Sequence, residues 1–297
     1  MEFFTIKIMP SHFFQHYKSE LNHFIDEALK EDIGSGDHSG QSCITETATS
    51  SAKLLVKEEG ILAGMELAEI LFHRYDPNLI FNPLIKEGAK VKKGAIAFKV
   101  EGNTQSILAT ERLVLNSMQR MSGIASLTHK LSQKIKHTNC QLLDTRKTTP
   151  NFRYPEKWAV QIGGGTNHRM GLFDALMIKD NHVDFCGGMT QALQKTEYYL
   201  KSLPQPLEVV VEARNLDEIK AVLPFPWVSR ILLDNFNAKE LVTALELINN
   251  KVPTEASGNI TENNLIEMAE TGVNFISMGA LTYSAKPIDL SLKAVLN

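Results

Sequence analysis

The sequence predicts an α/β protein of two parts: an N-terminal α+β layer, then a series of βα units arranged as a barrel. Between residues 52 and 108 short apolar runs follow one another, separated by Gly-containing turns, with one helical stretch among them. From residue 141 onward the same kind of run alternates with helical periodicity, the pattern of a parallel sheet. Nearly every run in the second part ends on polar or charged residues. That favours a barrel, whose site draws on the C-terminal ends of many strands, over a doubly wound sheet with its single switch point.

Taken in order, residues 11–29 place Phe14, Tyr17, Leu21, Ile25 and Leu29 on one helical stripe, and Gly34-Ser35-Gly36-Asp37 ends it. Strands are expected at 52–56, 61–62, 79–81, 96–100 and 105–108, with a helix at 65–75. Turn signals at Glu59-Gly60, Glu87-Gly88, Lys93-Gly94 and Glu101-Gly102-Asn103 punctuate them. A long helix over 110–136 carries Met118, Met121, Ile124, Leu127, Leu131 and Ile135 on its apolar stripe. Strands follow at 141–144, 175–178, 208–211, 230–233, 253–256 and 275–278, with helices at 189–203, 216–223, 238–249 and 261–270.

Composition limits the function. The 297 residues are 43% hydrophobic and 22% charged, with a formal net charge of -3. This is a soluble globular composition with no basic excess for nucleic acid. Cys43, Cys140 and Cys186 show no C-x-x-C spacing, which points to reduced thiols in a cytoplasmic protein and away from a disulfide framework or structural metal. The opening run Met1–Lys7 lacks the basic start and apolar stretch of a signal peptide, and no apolar run has the length of a membrane span.

Against this mildly acidic background, cations recur at the strand ends. They lie in Asp144-Thr145-Arg146-Lys147-Thr148-Thr149-Pro150, in Gly163-Gly164-Gly165-Thr166-Asn167-His168-Arg169 and in Lys179-Asp180-Asn181-His182. Any one Arg-Lys pair is ordinarily a solvated surface loop; recurrence after successive strands points to a small ligand bearing several negative charges. Arg146 and Lys147 can serve one site only if the strand stops near Asp144 and the chain turns, since neighbours on a strand face opposite ways. The triple glycine fits neither a dinucleotide fingerprint nor a P-loop, and reads as a helix stop with room for close approach to the backbone. Glu212 and Asp234 each end an apolar run one unit apart, which suits Mg²⁺ brought in on a phosphate substrate or the hydroxyls of a ribose. Salt bridges to the nearby cations are the other reading. Ser257-Gly258-Asn259 and Gly279, at the final two strands, are placed as a barrel's phosphate loops are. Helix capping by Thr261 explains the helix but not both glycines. No Ser–His–Asp set, H-E-x-x-H motif or redox cofactor site is visible.

These segments, with Glu111–Asn116, Ser122–Ala125, Val211-Glu212, Leu233-Asp234-Asn235 and Gly279–Thr282, resemble the quinolinate phosphoribosyltransferase family over nearly the whole chain. The resemblance implies that quinolinate and phosphoribosyl pyrophosphate give nicotinate mononucleotide, pyrophosphate and CO₂, within NAD biosynthesis and with Mg²⁺. It implies an N-terminal α/β sandwich over 1–112, with the tail 285–297 packed on it, and an incomplete seven-stranded α/β barrel of TIM type over 113–284. The seventh strand is not located by pattern. It also implies a homodimer in which Arg112 enters the partner's site. Thr145, Arg146, Lys147, His168, Arg169 and Lys179 match the positions for the quinolinate carboxylates and pyrophosphate. Glu212 and Asp234 match those for ribose and Mg²⁺, and Ser257, Gly258, Asn259 and Gly279 those for the 5′-phosphate. Lys147, Lys179, Glu212 and Asp234 are the expected catalytic set. The chain departs from the family pattern at Asn151-Phe152, where Gly-Leu is usual, at Gln161, and at Tyr283, often a histidine. Two other readings remain open: a related protein associated with molybdenum transport, which would lack the quinolinate-binding cations, and a carrier module suggested by the Glu87–Gly94 turns.

Overall fold

The computed structural model describes residues 11–295; residues 1–10 of the expected first domain and the last two of the expected tail lie outside the described residues. In chain order the strands are β1 (Thr49–Val56), β2 (Gly60–Ile61), β3 (Ile80–Pro83), β4 (Lys90–Val91), β5 (Ile96–Asn103), β6 (Gln141–Leu143), β7 (Ala175–Ile178), β8 (Glu208–Ala213), β9 (Arg230–Asp234), β10 (Thr254–Ser257), β11 (Phe275–Ser277) and β12 (Leu290–Ala294).

Two compact units result. Among the described residues, one comprises those through His129, Thr148–Gly164 and those from Leu281; the other comprises Lys130–Lys147 and Gly165–Ala280. The boundary expected at 112/113 falls inside a continuous helix, Thr104–Ile135. Residues 113–129 and 148–164, expected in the barrel, belong to the first unit. A long helix cannot be cut in sequence where its neighbours change, because its apolar stripe runs unbroken along it.

In the first unit, an antiparallel sheet runs β12-β1-β5-β3. The tail joins it through β12, with Leu292 opposite Leu54. Its apolar face meets the helix Met65–Tyr75 through Phe72, Phe81 and Phe98, whose rings lie 4.5–6.0 Å apart between centroids. That is the range of favourable aromatic packing. The expected strand at 105–108 is instead the first turn of Thr104–Ile135. Asn103 Oδ1 accepts from Ser106 N at 3.0 Å and so caps the helix, a start signal that the apolar Ile107-Leu108 pair obscures. The helix expected over 11–29 is two, His12–His16 and Lys18–Ile33, with Tyr17 as the break. Gly163 ends the helix Arg153–Ile162 and lies against the Thr104–Ile135 backbone, where a Cβ would come within 2.5 Å of the Ala125 carbonyl oxygen. Its missing side chain serves helix packing.

The second unit is a parallel sheet in the order β6-β11-β10-β9-β8-β7. Its central strands carry buried apolar runs, as in Val209-Val210-Val211 and Ile231-Leu232-Leu233. The sheet gains a further parallel bridge, Leu143 to Thr166, on the free side of β6. Thr166 N donates to Leu142 O at 2.8 Å and Asp144 N to Thr166 O at 3.2 Å. This single residue stands as the seventh strand and explains why no periodic run betrays it. The arrangement is an incomplete α/β barrel. No helix of the described residues is long and apolar enough to cross a membrane.

Candidate active site

Strand register brings the polar strand ends together within the second unit. Glu212 lies opposite Leu232 on β9, and Ala213 opposite Leu233. Asp234, two residues beyond Leu232, therefore projects on the same side of the sheet as Glu212. Ser257 lies opposite Asp234, and Ser277 opposite Leu143. The polar residues that follow these strands leave one end of the sheet together.

Arg146 and Lys147 follow β6, which stops at Leu143. The Thr145 hydroxyl then accepts from Lys147 N at 3.0 Å, closing the turn that lets two adjacent cations serve one region. Asp144 is fully buried and organises the neighbouring loop: it accepts from Asn167 Nδ2 at 2.5 Å and from His168 N at 2.9 Å. Arg169 donates through Nη1 to Ala175 O at 2.9 Å and through its backbone N to His168 Nδ1 at 2.7 Å. Burial, and next the charge of Arg146, push the Arg169 guanidinium below its ordinary value. The two guanidiniums thus share one environment. Lys179 is exposed before the helix Asp180–Cys186, its backbone N fixed by His182 Nδ1 at 2.9 Å.

The carboxylates form the facing group. Burial, then the charge of Asp234, raise the Glu212 carboxyl above the usual carboxylate range; Lys179 opposes the shift. Burial also raises Asp234, aided by Asp180 and opposed by Asn235, Lys179 and Lys147. Lys147 and Lys179 are therefore in electrostatic contact with the pair, and the adjacent Arg146 joins the two clusters. Among the described residues no three His, Cys, Asp or Glu side chains form a metal cage. A buried and a half-buried carboxylate that repel each other fit Mg²⁺ completed by substrate phosphates and water.

The phosphate-loop candidates form a tight corner. Asn235 has a φ of 61° and Gly258 one of 88°. A Cβ on Gly258 would overlap the Asn235 side-chain amide, so only glycine fits. Asn235 donates to Asp234 Oδ2 at 2.7 Å and accepts from Asn259 Nδ2 at 2.9 Å, linking the carboxylate to the loop. The helix expected from 261 begins at Leu265, so Ser257 ends β10 and Gly258 and Asn259 follow in a loop, none of them at a helix start. Thr261 N donates to the side chain of Asn264, which replaces Thr261 as the cap. A cavity of about 520 Å³ borders Asp234, and one of about 420 Å³ borders Gly258 and Asn259. Gly279 directly precedes the short helix Ala280–Tyr283. Arg112 belongs to the first unit, exposed on Thr104–Ile135.

Sequence reasoning passed over Asp144 as an organiser, Asn235 as a link, and the buried pair of Glu255 and Arg230 beside His168. Arg230 at the start of the apolar run of β9 and Glu255 inside β10 were the available signal.

Comparison with known proteins identifies the family. The model of quinolinate phosphoribosyl transferase, N-terminal domain, matches residues 37–122, and that of the C-terminal domain matches residues 124–293. The chain is 44% identical over 293 residues to a nicotinate-nucleotide pyrophosphorylase (carboxylating), chloroplastic, of Arabidopsis thaliana, covering 94% of this chain and 84% of that protein. It is 39% identical over 280 residues to a probable nicotinate-nucleotide pyrophosphorylase (carboxylating) of Synechocystis, covering 93% of each. The solved structure of the nicotinate-nucleotide pyrophosphorylase from Francisella tularensis matches with a TM-score of 0.85 and 37% identity, over 99% of this chain and 100% of that one.

Proposed function

Since this chain belongs to the quinolinate phosphoribosyltransferase family, we propose that it converts quinolinate and phosphoribosyl pyrophosphate to nicotinate mononucleotide, pyrophosphate and CO₂. The observation that carries the reading is the meeting of Arg146 with Arg169, and of Lys147 and Lys179 with the Glu212–Asp234 carboxylate pair, at one end of a parallel sheet.

Quinolinate is a planar dianion. Arg146 and Arg169 hold its carboxylates through forked hydrogen bonds, with His168 beside them, while Lys147 and Lys179 act as point charges on carboxylate and pyrophosphate. Glu212 and Asp234 take the ribose hydroxyls and Mg²⁺, and Ser257, Gly258, Asn259 and Gly279 the 5′-phosphate. When bound, Mg²⁺ supplies positive charge to the departing pyrophosphate. Cleavage of the ribose C1–pyrophosphate bond puts positive charge on the sugar, which the two carboxylates stabilise, and negative charge on the leaving group, which the lysines stabilise. Loss of CO₂ leaves an electron pair on the carbon beside the ring nitrogen, and that carbon then takes a proton from water to form the product C–H bond. That pair is best tolerated once the nitrogen is quaternised, so transfer precedes decarboxylation.

The enzyme acts as a homodimer, Arg112 of one protomer completing the site of its partner; its exposure, outside the unit that carries the other cations, supports this. The free thiols of Cys43, Cys140 and Cys186 support a cytoplasmic setting, whereas the Arabidopsis relative is named chloroplastic. Incubation with quinolinate, phosphoribosyl pyrophosphate and Mg²⁺ tests the activity: nicotinate mononucleotide and CO₂ are expected in equal amounts. Free nicotinate appearing before the nucleotide would overturn the order, and absence of both products the activity.

A further inference from the structure

Glu255 lies two residues before Ser257, a phosphate-loop candidate, but its side chain serves a different group. It is fully buried on β10, opposite Leu232 on β9 and Phe275 on β11. Arg230 Nη1 donates to Glu255 Oε2 at 2.9 Å, and its guanidinium carbon lies 4.3 Å from the centroid of the Phe275 ring. His168 Nε2 lies 3.3 Å from the same Oε2. Burial opposes ionisation of Glu255, yet His168, Ser277 and Arg230 outweigh it and hold the carboxyl below the usual range. An anionic Glu255 is therefore the resting state.

A buried carboxylate beneath a site for a dianion would repel the ligand unless neutralised. Arg230 neutralises it, and His168 transmits its position. His168 Nδ1 accepts from Arg169 N, so that nitrogen carries no proton and the ring proton sits on Nε2, facing Glu255. The imidazole is thus a splint between the barrel floor and the backbone of Arg169. Such a splint is needed because burial and the Arg146 charge both oppose a guanidinium at that place.

We propose that Glu255 is a positioning residue which acts through His168 to aim Arg169 at the carboxylates of the substrate. The idea rests on the quinolinate reading above, so its test has one arm that needs no substrate.

Glu255→Gln keeps the shape but removes the charge. The KM for quinolinate should rise about tenfold or more, as for other losses of an outer-shell partner. The KM for phosphoribosyl pyrophosphate should stay within about twofold, a split that general loosening of the fold would not produce. In a His168→Ala background the same change should have no further effect, because the route through the imidazole is already gone. With selectively ¹⁵N-labelled arginine, the Arg169 amide resonance should shift in Glu255→Gln without any substrate present. Should Glu255→Gln fail to fold, the paired change Arg230→Met/Glu255→Leu removes the ion pair as a unit and should give the same shift and KM split. An unmoved Arg169 amide, equal rises in both KM values, or an undiminished effect in the His168→Ala background would overturn the proposal. A wild-type protein inert towards quinolinate would instead sink the functional reading and leave the amide measurement to decide the role of Glu255.

Discussion

Arg146 and Arg169 are brought together although like charges resist it: after burial, the charge of Arg146 is the largest influence depressing the Arg169 guanidinium. A folded protein keeps such a pair where a ligand with matching negative charges relieves the repulsion. The pair separates the account from a chance gathering of surface cations.

Removing either guanidinium should therefore weaken ligand binding more than it harms the fold. Arg146→Ala or Arg169→Ala should raise the dissociation constant for quinolinate by about 10- to 100-fold, the worth of a charge-assisted hydrogen bond. Thermal unfolding should be unchanged or slightly delayed for Arg146→Ala, since a repulsion is removed. Calorimetric titration beside a melting curve checks both.

Glu212 and Asp234 have carboxyls raised above their ordinary values, first by burial. A raised carboxyl in the folded state means that the folded protein binds the proton more tightly. These groups therefore favour folding most below their unfolded values, and the contribution falls as pH climbs through the folded ones. Metal binding runs the other way, because Mg²⁺ needs the deprotonated pair. Mg²⁺-dependent binding of phosphoribosyl pyrophosphate should strengthen as pH rises from the ordinary carboxylate range, and Asp234→Asn should flatten that rise. A binding curve indifferent to pH in the wild type would contradict the assignment.

Much of the second unit was legible because buried parallel strands are short apolar runs, and the polar residue ending each run marks the functional end. What eluded the sequence depends on contacts between distant residues. Thr166 forms a strand only by lying against Leu143. Ile107-Leu108 reads as a strand until the Asn103 cap is seen. Asn151, where the family usually has glycine, has a φ of 61°: the position requires the left-handed region, which asparagine tolerates. The link from Glu255 to His168 joins separate βα units, and no local pattern encodes it.

Gly258→Ala should be among the most damaging small substitutions. The φ of 88° disfavours any side chain, and the new methyl would meet the Asn235 amide that links Asp234 to the loop. A loss of about 1–3 kcal/mol of stability is expected from such backbone strain. Weaker binding of phosphoribosyl pyrophosphate, with quinolinate binding retained, should accompany it in equilibrium titrations.

Glu87, in the first unit, tests the fold apart from the site. Burial raises its carboxyl to about 7, even though the backbone N–H groups of Gly64 and Glu66 donate to it at 2.8 and 3.2 Å. Its contribution to stability should be full below the ordinary value of 4.5 and decline as pH rises through about 7. Glu87→Gln should remove that slope from a plot of melting temperature against pH; an unchanged slope would show that the carboxyl is better hydrated than its surroundings imply.

The most direct test of the central claim is a crystal structure with quinolinate bound. Both carboxylates should lie within about 3 Å of guanidinium nitrogens of Arg146 and Arg169, at hydrogen-bonding distance. A ring bound elsewhere, with those two arginines turned to water, would contradict it.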